Sequence, residues 1–310
     1  MRSLRPLVAV LFLYIGACSA QATAAIPTVK SVALGNGITL HYLEAGHGIP
    51  VILVHGSISD YGYWQGPIGA LATRYRVFAY SRRYNYPNTN PSRPGYSAST
   101  DADDLAGFVE KLHLGSVYVV GHSYGALTAL FLLVNHPGTA RAVVLAEPPA
   151  VSLLNHLQAD RAALGAAMFA DINTRMVQPM RAAFGNGDAE SGVRIFIDYV
   201  KDDPSAWARM SASSKAETMR DAHEWEVMMS TGELFPAIEP EAIGRIHVPV
   251  LLLSGEKSYP FLNLTDEALL HLIPDSERIV LHGATHQMLY DKPEICDDEI
   301  LAFLRRNDTQ

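Results

Sequence analysis

Short, continuously apolar runs recur along the chain from about residue 50 onward. They read PVILV, YRVFAY, VYVVG, RAVVLA, PVLLLS and ERIVL. Runs of this length and character predict strands that are buried on both faces of a sheet. A pair of alternating runs, TVKSVALGNGITLHYLEAG, precedes them and predicts a hairpin around the turn GNG. The pattern therefore predicts eight strands.

Amphipathic segments separate most of these strands. They predict helices over about residues 64–74, 101–112, 124–136, 265–272 and 293–304. Strands that alternate with helices in this way indicate a mostly parallel sheet with helices on both faces. The predicted class is α/β, with an eight-stranded sheet.

One long stretch interrupts the alternation. Residues 151–244 contain no convincing buried strand. They consist of amphipathic segments that predict helices and are rich in alanine, methionine and aromatic residues. We interpret this stretch as a helical insertion that caps the carboxyl edge of the sheet. The core is then expected to comprise residues 26–150 and 245–310.

The first 25 residues differ in character from the rest. Two arginines precede an apolar stretch from Leu7 to Ile15, which small residues follow. This layout predicts a secretory signal peptide over residues 1–25, so that the protein is exported, periplasmic or secreted. In an alternative, lipoprotein processing acylates Cys18 and leaves a lipid anchor. The apolar stretch is too short to span a membrane.

Composition narrows the class of protein further. The 310 residues are 48% hydrophobic and 18% charged, which is sufficient for one large α/β domain. The net charge is −8 and no basic run exceeds two residues, so we expect no nucleic-acid partner. A small-molecule substrate is the expected partner. Nothing in the sequence indicates an oligomeric state.

The strongest chemical motif is GHSYG, at residues 121–125. It matches G-x-S-x-G and lies directly between a predicted buried strand and a predicted helix. A serine on so sharp a turn is strained, and the glycines on either side of it provide the necessary room. The motif therefore predicts that Ser123 is a nucleophile.

An earlier strand ends in HGS, at residues 55–57. A His-Gly pair here would let the backbone pass close to the active site. We expect the backbone N–H groups of Ser57 and Tyr124 to form an oxyanion hole. His55 and His122 are expected to be structural rather than to act as bases.

Two histidines follow the last predicted strand. His282 lies at the strand end, whereas His286 lies in the loop GATH before the final helix. Activation of a serine needs a neutral imidazole that takes and returns its proton, and His286 suits that role. The sequence has no H-E-x-x-H and no paired cysteine ligands, so we expect no metal and no cofactor.

These motifs, in this order, resemble those of the α/β-hydrolase superfamily over residues 28–306. The resemblance covers the strand pattern, the HGS turn, the GHSYG elbow, the insertion and the GATH loop. It is closest to the cofactor-free esterases, lactonases and carbon–carbon bond hydrolases of that superfamily. Haloalkane dehalogenases and epoxide hydrolases are also similar, but they carry an aspartate at position 123.

The sequence departs from the superfamily pattern at Ser258. Members usually carry the catalytic aspartate at that position, in the loop after the strand LLLSG. Some members instead place the acid after the preceding core strand, which here is the sixth and ends in LAEPP. The resemblance thus implies Glu147 as the acid. The alternatives are Glu256, a residue of the insertion, or a site without an acid.

Two adjacent arginines, Arg82 and Arg83, follow another core strand. They could contact an acidic group of the substrate. The alternative is that they pair with aspartates or with backbone carbonyls.

The function that follows is a carboxylic ester hydrolase with Ser123, His286 and Glu147 as its catalytic triad. The apolar insertion favours a small to medium-sized hydrophobic substrate. A lactonase and a carbon–carbon bond hydrolase are alternatives with the same machinery. A protein of this fold that binds a ligand without turnover, as a sensor, is an alternative of a different class.

Overall fold

A computed structural model of the protein describes residues 28–231 and 233–308. The signal peptide predicted over residues 1–25, and with it Cys18, lies outside these residues. None of the helices in the described part of the chain is long and apolar enough to cross a membrane.

One eight-stranded sheet organises the described residues. Its strands are β1 (Thr28–Ala33), β2 (Thr39–Gly46), β3 (Pro50–Val54), β4 (Arg76–Tyr80), β5 (Val117–His122), β6 (Ala140–Ala146), β7 (Val250–Gly255) and β8 (Ser276–Leu281). They lie in the order β1-β2-β4-β3-β5-β6-β7-β8. Strand β2 is antiparallel to both β1 and β4, and the other neighbours are parallel. The predicted α/β class with a mostly parallel sheet is confirmed.

Helices connect these strands and lie on both faces of the sheet. In the core they are α1 (Pro67–Ala72), α2 (Ala98–Lys111), α3 (Tyr124–Asn135), α11 (Pro260–Leu272), α12 (Met288–Asp291) and α13 (Pro293–Arg306), with a 3₁₀ turn at Tyr61–Trp64. Between β6 and β7 the described chain is helical: α4 (Ala162–Ile172), α5 (Gln178–Gly185), α6 (Ala189–Val200), α7 (Ala206–Arg209), α8 (Ala212–Arg220), α9 (His223–Thr231) and α10 (Pro240–Ile243), with a 3₁₀ turn at Val151–His156 and a π turn at Asn173–Val177.

The central strands divide the core into two layers. Successive side chains of a strand point to opposite faces, so Val119 of β5 packs with α2 and α3, whereas Tyr118 packs with the layer of α1 and α13. Every residue of β5 and of β7 is buried. This burial explains why both strands are continuously apolar rather than alternating.

The helical insertion, residues 151–244, shares one hydrophobic cluster with the α2 and α3 face of the sheet. Trp225 of α9 is fully buried, and its ring meets those of Phe184 and Phe196 edge to face at centroid distances of 6.4 and 4.4 Å. Aromatic contacts of this kind add to the burial of apolar area. The insertion is therefore packed against the core through a continuous apolar interface.

Candidate active site

Ser123 lies at the turn between β5 and α3, with φ 53° and ψ −122°. A positive φ is unfavourable for a residue with a side chain, and it marks a strained turn. Its N–H donates a 2.8 Å hydrogen bond to the carbonyl of Ala146 at the end of β6, which anchors the turn to the sheet.

Three glycines let the backbone close around this serine. A Cβ at Gly121 would lie 2.5 Å from the carbonyl oxygen of Gly125, and one at Gly125 would lie 2.2 Å from that of Val54. A Cβ at Gly56 would lie 3.1 Å from the Cβ of Ser123. The segment that follows β3 therefore passes directly beside the serine, as the HGS turn predicts.

The two residues predicted to supply oxyanion donors flank this approach. Ser57 follows Gly56 and lines the same cavity as Ser123. Tyr124 is the first residue of α3, where backbone N–H groups have no partner within the helix. Tyr124 adjoins Ser123 in the chain, and Ser57 adjoins Gly56, whose backbone packs against Ser123.

Glu147 follows β6 directly and is fully buried, with φ 52°. Its Oε1 accepts a 2.7 Å hydrogen bond from the N–H of Gly255, and its Oε2 accepts one of 2.6 Å from the hydroxyl of Ser258. The same Oε2 accepts a hydrogen bond from Nδ1 of His286. The structure thus brings Glu147, His286 and Ser258 together.

Glu256, the alternative acid, faces away from this group. It pairs at 2.9 Å with the exposed ring of His282 and accepts a 2.8 Å hydrogen bond from the N–H of Gly283. Its pKa is lowered, first by that backbone hydrogen bond. The structure does not join Glu256 to His286.

The ring of His122 is hydrogen-bonded to the backbone of the loop that carries His286. The backbone carbonyl of His286 can only accept, so Nε2 of His122 carries the proton that is donated to it over 2.9 Å. Burial, followed by the neighbouring His286, lowers the pKa of His122 to about 3. A neutral His122 that holds the His286 backbone fits the structural role expected from the sequence.

The paired arginines are buried and bound to carboxylates. Arg82 lies between Asp101 and Glu224, and Arg83 forms a bidentate pair with Asp104 at 2.6 and 2.7 Å. Neither arginine lines the cavity at Ser123. The sequence left two roles for these arginines, contact with the substrate or pairing with acidic side chains. In the structure they pair with acidic side chains.

A cavity of about 440 Å³ opens in front of Ser123 and His286. Apolar side chains of the helical insertion form much of its wall: Met176, Phe196, Ile197, Val200, Trp225, Leu234 and Phe235. Lys201, Glu217 and Thr218 add polar groups to the same wall. Its composition, mostly apolar with a few polar groups, is typical of a site for a small organic molecule.

Sequence reasoning missed several residues of this site. Tyr63 stacks on the ring of His122 at 5.1 Å, and Tyr259 lies 5.3 Å from that of His286. Both lie in segments without a motif, and only tertiary packing brings them to the cavity. No group of three or more His, Cys, Asp or Glu side chains in the described residues could hold a metal ion.

Comparison with known proteins identifies the class. A model of the alpha/beta hydrolase family matches residues 51–299. The chain belongs to the α/β-hydrolase family, as the motifs imply.

The curated relatives that match along most of their length include two named hydrolases. The 2-(acetamidomethylene)succinate hydrolase of Mesorhizobium japonicum is 28% identical over 275 residues, which cover 86% of this chain and 92% of the relative. The 2-hydroxy-6-oxo-6-(2'-aminophenyl)hexa-2,4-dienoic acid hydrolase of Metapseudomonas resinovorans is 28% identical over 283 residues, covering 87% and 89%. Both relatives are named hydrolases, and this supports the conclusion that the present protein is a hydrolase.

Among solved structures, the enol-lactonase of Burkholderia xenovorans superposes with a TM-score of 0.69. The superposition covers 89% of this chain and 100% of the enol-lactonase chain, at 18% sequence identity. A likeness at this identity shows the shared fold alone.

Proposed function

We propose that the protein is a serine hydrolase that cleaves an ester or a similar acyl bond of a small to medium-sized, largely apolar substrate. The observation that carries this proposal is the contact between the buried carboxylate of Glu147 and Nδ1 of His286, at the cavity that Ser123 also lines. A nucleophile, a base and a carboxylate that orients the base form the arrangement that acyl transfer uses.

In this mechanism each group has a defined task. Since Nδ1 of His286 donates to Glu147, Nε2 is free to take the proton of the Ser123 hydroxyl as its oxygen attacks the substrate carbonyl. The N–H groups of Ser57 and Tyr124 bind the oxyanion that forms. Collapse of the tetrahedral intermediate leaves an acyl-enzyme, and the leaving group departs with the proton from His286. Water, activated by the same histidine, then releases the acid.

Cleavage of a lactone or of a carbon–carbon bond is the second candidate. The name of one curated relative favours carbon–carbon bond cleavage, since that relative is a hydrolase of a 6-oxo-hexa-2,4-dienoic acid. Both reactions would use the same serine, histidine and oxyanion hole. They differ in the group that leaves, and the triad does not determine that group.

A substrate panel tests this proposal. Esters of p-nitrophenol with acyl chains of graded length, together with enol lactones and a 6-oxo-dienoate, are offered to the purified protein. For esters, kcat/KM should rise by up to about fourfold for each methylene that enters the apolar cavity, from about 0.8 kcal/mol per methylene, and then fall. Preference for a lactone or for the dienoate would select the second candidate. Binding of these compounds with no turnover would contradict both and indicate a ligand sensor.

A further inference from the structure

The peptide that joins Gly56 to Ser57 is held from its buried side. The carbonyl oxygen of Gly56 accepts hydrogen bonds from Nδ1 of His55, at 2.8 Å, and from Nη2 of Arg82, at 3.0 Å. Nε2 of His55 accepts from the backbone N–H of Arg82, so Nδ1 must carry the proton. Burial and then the adjacent Arg82 lower the pKa of His55 well below its ordinary value, which keeps the ring neutral.

Holding this carbonyl also sets the direction of an N–H group. In a planar trans peptide the C=O and the following N–H point in opposite directions. Because the Gly56 carbonyl points to Arg82, the N–H of Ser57 points to the other side, and Ser57 lines the cavity. The two buried side chains therefore determine where this donor is aimed.

The guanidinium of Arg82 is fully buried, and all five of its N–H groups have partners. These partners are the carbonyl of His55, the hydroxyl of Tyr96, the carboxylate of Asp101, the carbonyl of Gly56 and the carboxylate of Glu224. Its planar fork can serve them only in one orientation.

The same guanidinium lies over the ring of Tyr124, 4.9 Å from the ring centroid. Tyr124 carries the second proposed oxyanion donor. Arg82 therefore contacts the peptide that carries one proposed donor and the side chain of the residue that carries the other, without lining the cavity itself.

Glu224 completes this arrangement from the helical insertion. It belongs to α9, is fully buried, and uses both carboxylate oxygens: Oε2 accepts from Arg82, and Oε1 accepts from the backbone N–H of Ile58. Ile58 has φ 44°, a strained value for a β-branched residue. Such a conformation persists only where the surroundings hold it. Glu224 provides that restraint one residue after Ser57.

We infer that Glu224 and Arg82 are positioning residues for the oxyanion hole, and that the helical insertion thereby sets the geometry of the donor at Ser57. The inference rests on the proposed function, in which that donor binds the oxyanion. It assigns a role to the carboxylate of Glu224, which no sequence motif indicates and which does not line the cavity.

The test variant is Glu224→Gln. An amide keeps the size of the side chain but offers one acceptor oxygen instead of two, so either the bond from Arg82 or the bond from Ile58 is lost. Asp104→Asn is the matched control. Asp104 is also buried and uses both oxygens on an arginine, Arg83, but it does not contact residues 56–58. Arg82→Lys is a second variant, which keeps a cation between the two carboxylates.

Three readouts are compared in the three variants. Loss of an oxyanion donor lowers kcat by about 10²–10³-fold, and misdirecting one should lower kcat by about tenfold or more, with KM changed much less. The affinity for a trifluoromethyl ketone, which forms a tetrahedral adduct on the serine, should fall by a similar factor. Hydrogen exchange at the amides of residues 56–59 should become faster in Glu224→Gln and Arg82→Lys, and stay as in the wild type in Asp104→Asn.

Each outcome decides the inference. Faster exchange at residues 56–59 with a lower kcat, in Glu224→Gln but not in Asp104→Asn, supports it. Any of three results overturns it: a wild-type kcat in Glu224→Gln, an unchanged rate of hydrogen exchange in that variant, or equal losses of kcat in Glu224→Gln and Asp104→Asn. If the wild-type protein itself has no turnover, the proposed function fails, and the exchange measurement alone still decides whether Glu224 and Arg82 hold this segment.

Discussion

Ser258 donates a 2.6 Å hydrogen bond to Oε2 of Glu147, the same oxygen that accepts a hydrogen bond from Nδ1 of His286. In related hydrolases the position of Ser258 usually carries the acid itself. Here it carries a donor that contacts a carboxylate placed one strand earlier. The loops after β6 and β7 therefore meet at one carboxylate, and the departure from the usual pattern has a local structural explanation.

Replacement of Glu147 should remove most of the activity without unfolding the protein. Glu147→Gln leaves the imidazole of His286 without a carboxylate partner, and changes of this kind lower kcat by about 10⁴-fold. Steady-state kinetics on the best ester of the panel, with circular dichroism to verify the fold, measure the effect. Glu256→Gln is the control and should stay close to wild type, because Glu256 contacts only the exposed edge of the histidine loop. Equal rates for the two variants would exclude Glu147 as the acid.

Ser258 should matter less than Glu147. Ser258→Ala removes one hydrogen bond to a carboxylate, and the accompanying loss in kcat should be about tenfold. Ser258→Asp alone would place two carboxylates side by side, which disfavours the charged form of one of them. In the Glu147→Gln background the same aspartate should restore part of the activity, because it supplies a carboxylate from the neighbouring loop. A double variant no faster than Glu147→Gln would show that Ser258 does not reach His286.

Much of the site could be predicted because its signals are local. The elbow around Ser123 needs glycines at fixed positions, and the loop of His286 directly follows a recognisable strand. Glu147 has no local motif; it could be proposed only from the resemblance and from its place at the end of a strand. Parallel strands bring their carboxyl ends to one edge, so the strand pattern alone indicates which loops meet.

Other features could not be predicted, for physical reasons. The contact between Glu224 and Ile58 joins residues 166 positions apart in the chain, and neither residue belongs to a motif. The start of α11 is a different case. The sequence predicts a helix from about residue 265, whereas α11 begins at Pro260, and a proline suited to the first turn is a signal that the sequence does contain. The segment around residues 215–230 forms two helices, α8 and α9, because the chain turns between them at Asp221. The carboxylate of Asp221 accepts a hydrogen bond from the N–H of Tyr86.

Asp221 should make stability depend on pH. It is buried and accepts a 2.7 Å hydrogen bond from the N–H of Tyr86, and burial raises its pKa from 3.8 to about 7. Between about pH 4 and pH 7 the folded protein therefore binds a proton that the unfolded chain has released. Since the folded state binds more protons, the contribution of this group to stability falls as the pH rises through that range.

Asp221→Asn keeps an acceptor for Tyr86 and removes the titration. The free energy of unfolding of this variant, relative to that of the wild type, should increase as the pH rises from about 4 to about 7 and should level off above that. Urea unfolding at several pH values measures the difference in free energy of unfolding. A difference that is constant across the range would mean that Asp221 has no raised pKa.

Export is tested at the N-terminus. From the layout of the first residues we expect the mature protein to begin after about residue 22 or 24. The intact mass of the protein purified from its native host shows where the mature chain begins. A chain that retains Met1 contradicts the expectation, and an acylated Cys18 at the N-terminus supports lipoprotein processing instead.

The central claim is that Ser123 is the nucleophile of an acyl-transfer site. The most direct measurement is intact mass after incubation with a fluorophosphonate, for the wild type and for Ser123→Ala. We expect the wild type to gain one phosphonyl group, mapped to the peptide that contains Ser123, and the variant to gain none and to lose about 10⁶-fold in turnover. Labelling of Ser123→Ala at the rate of the wild type, or of the wild type at another residue, would contradict the account.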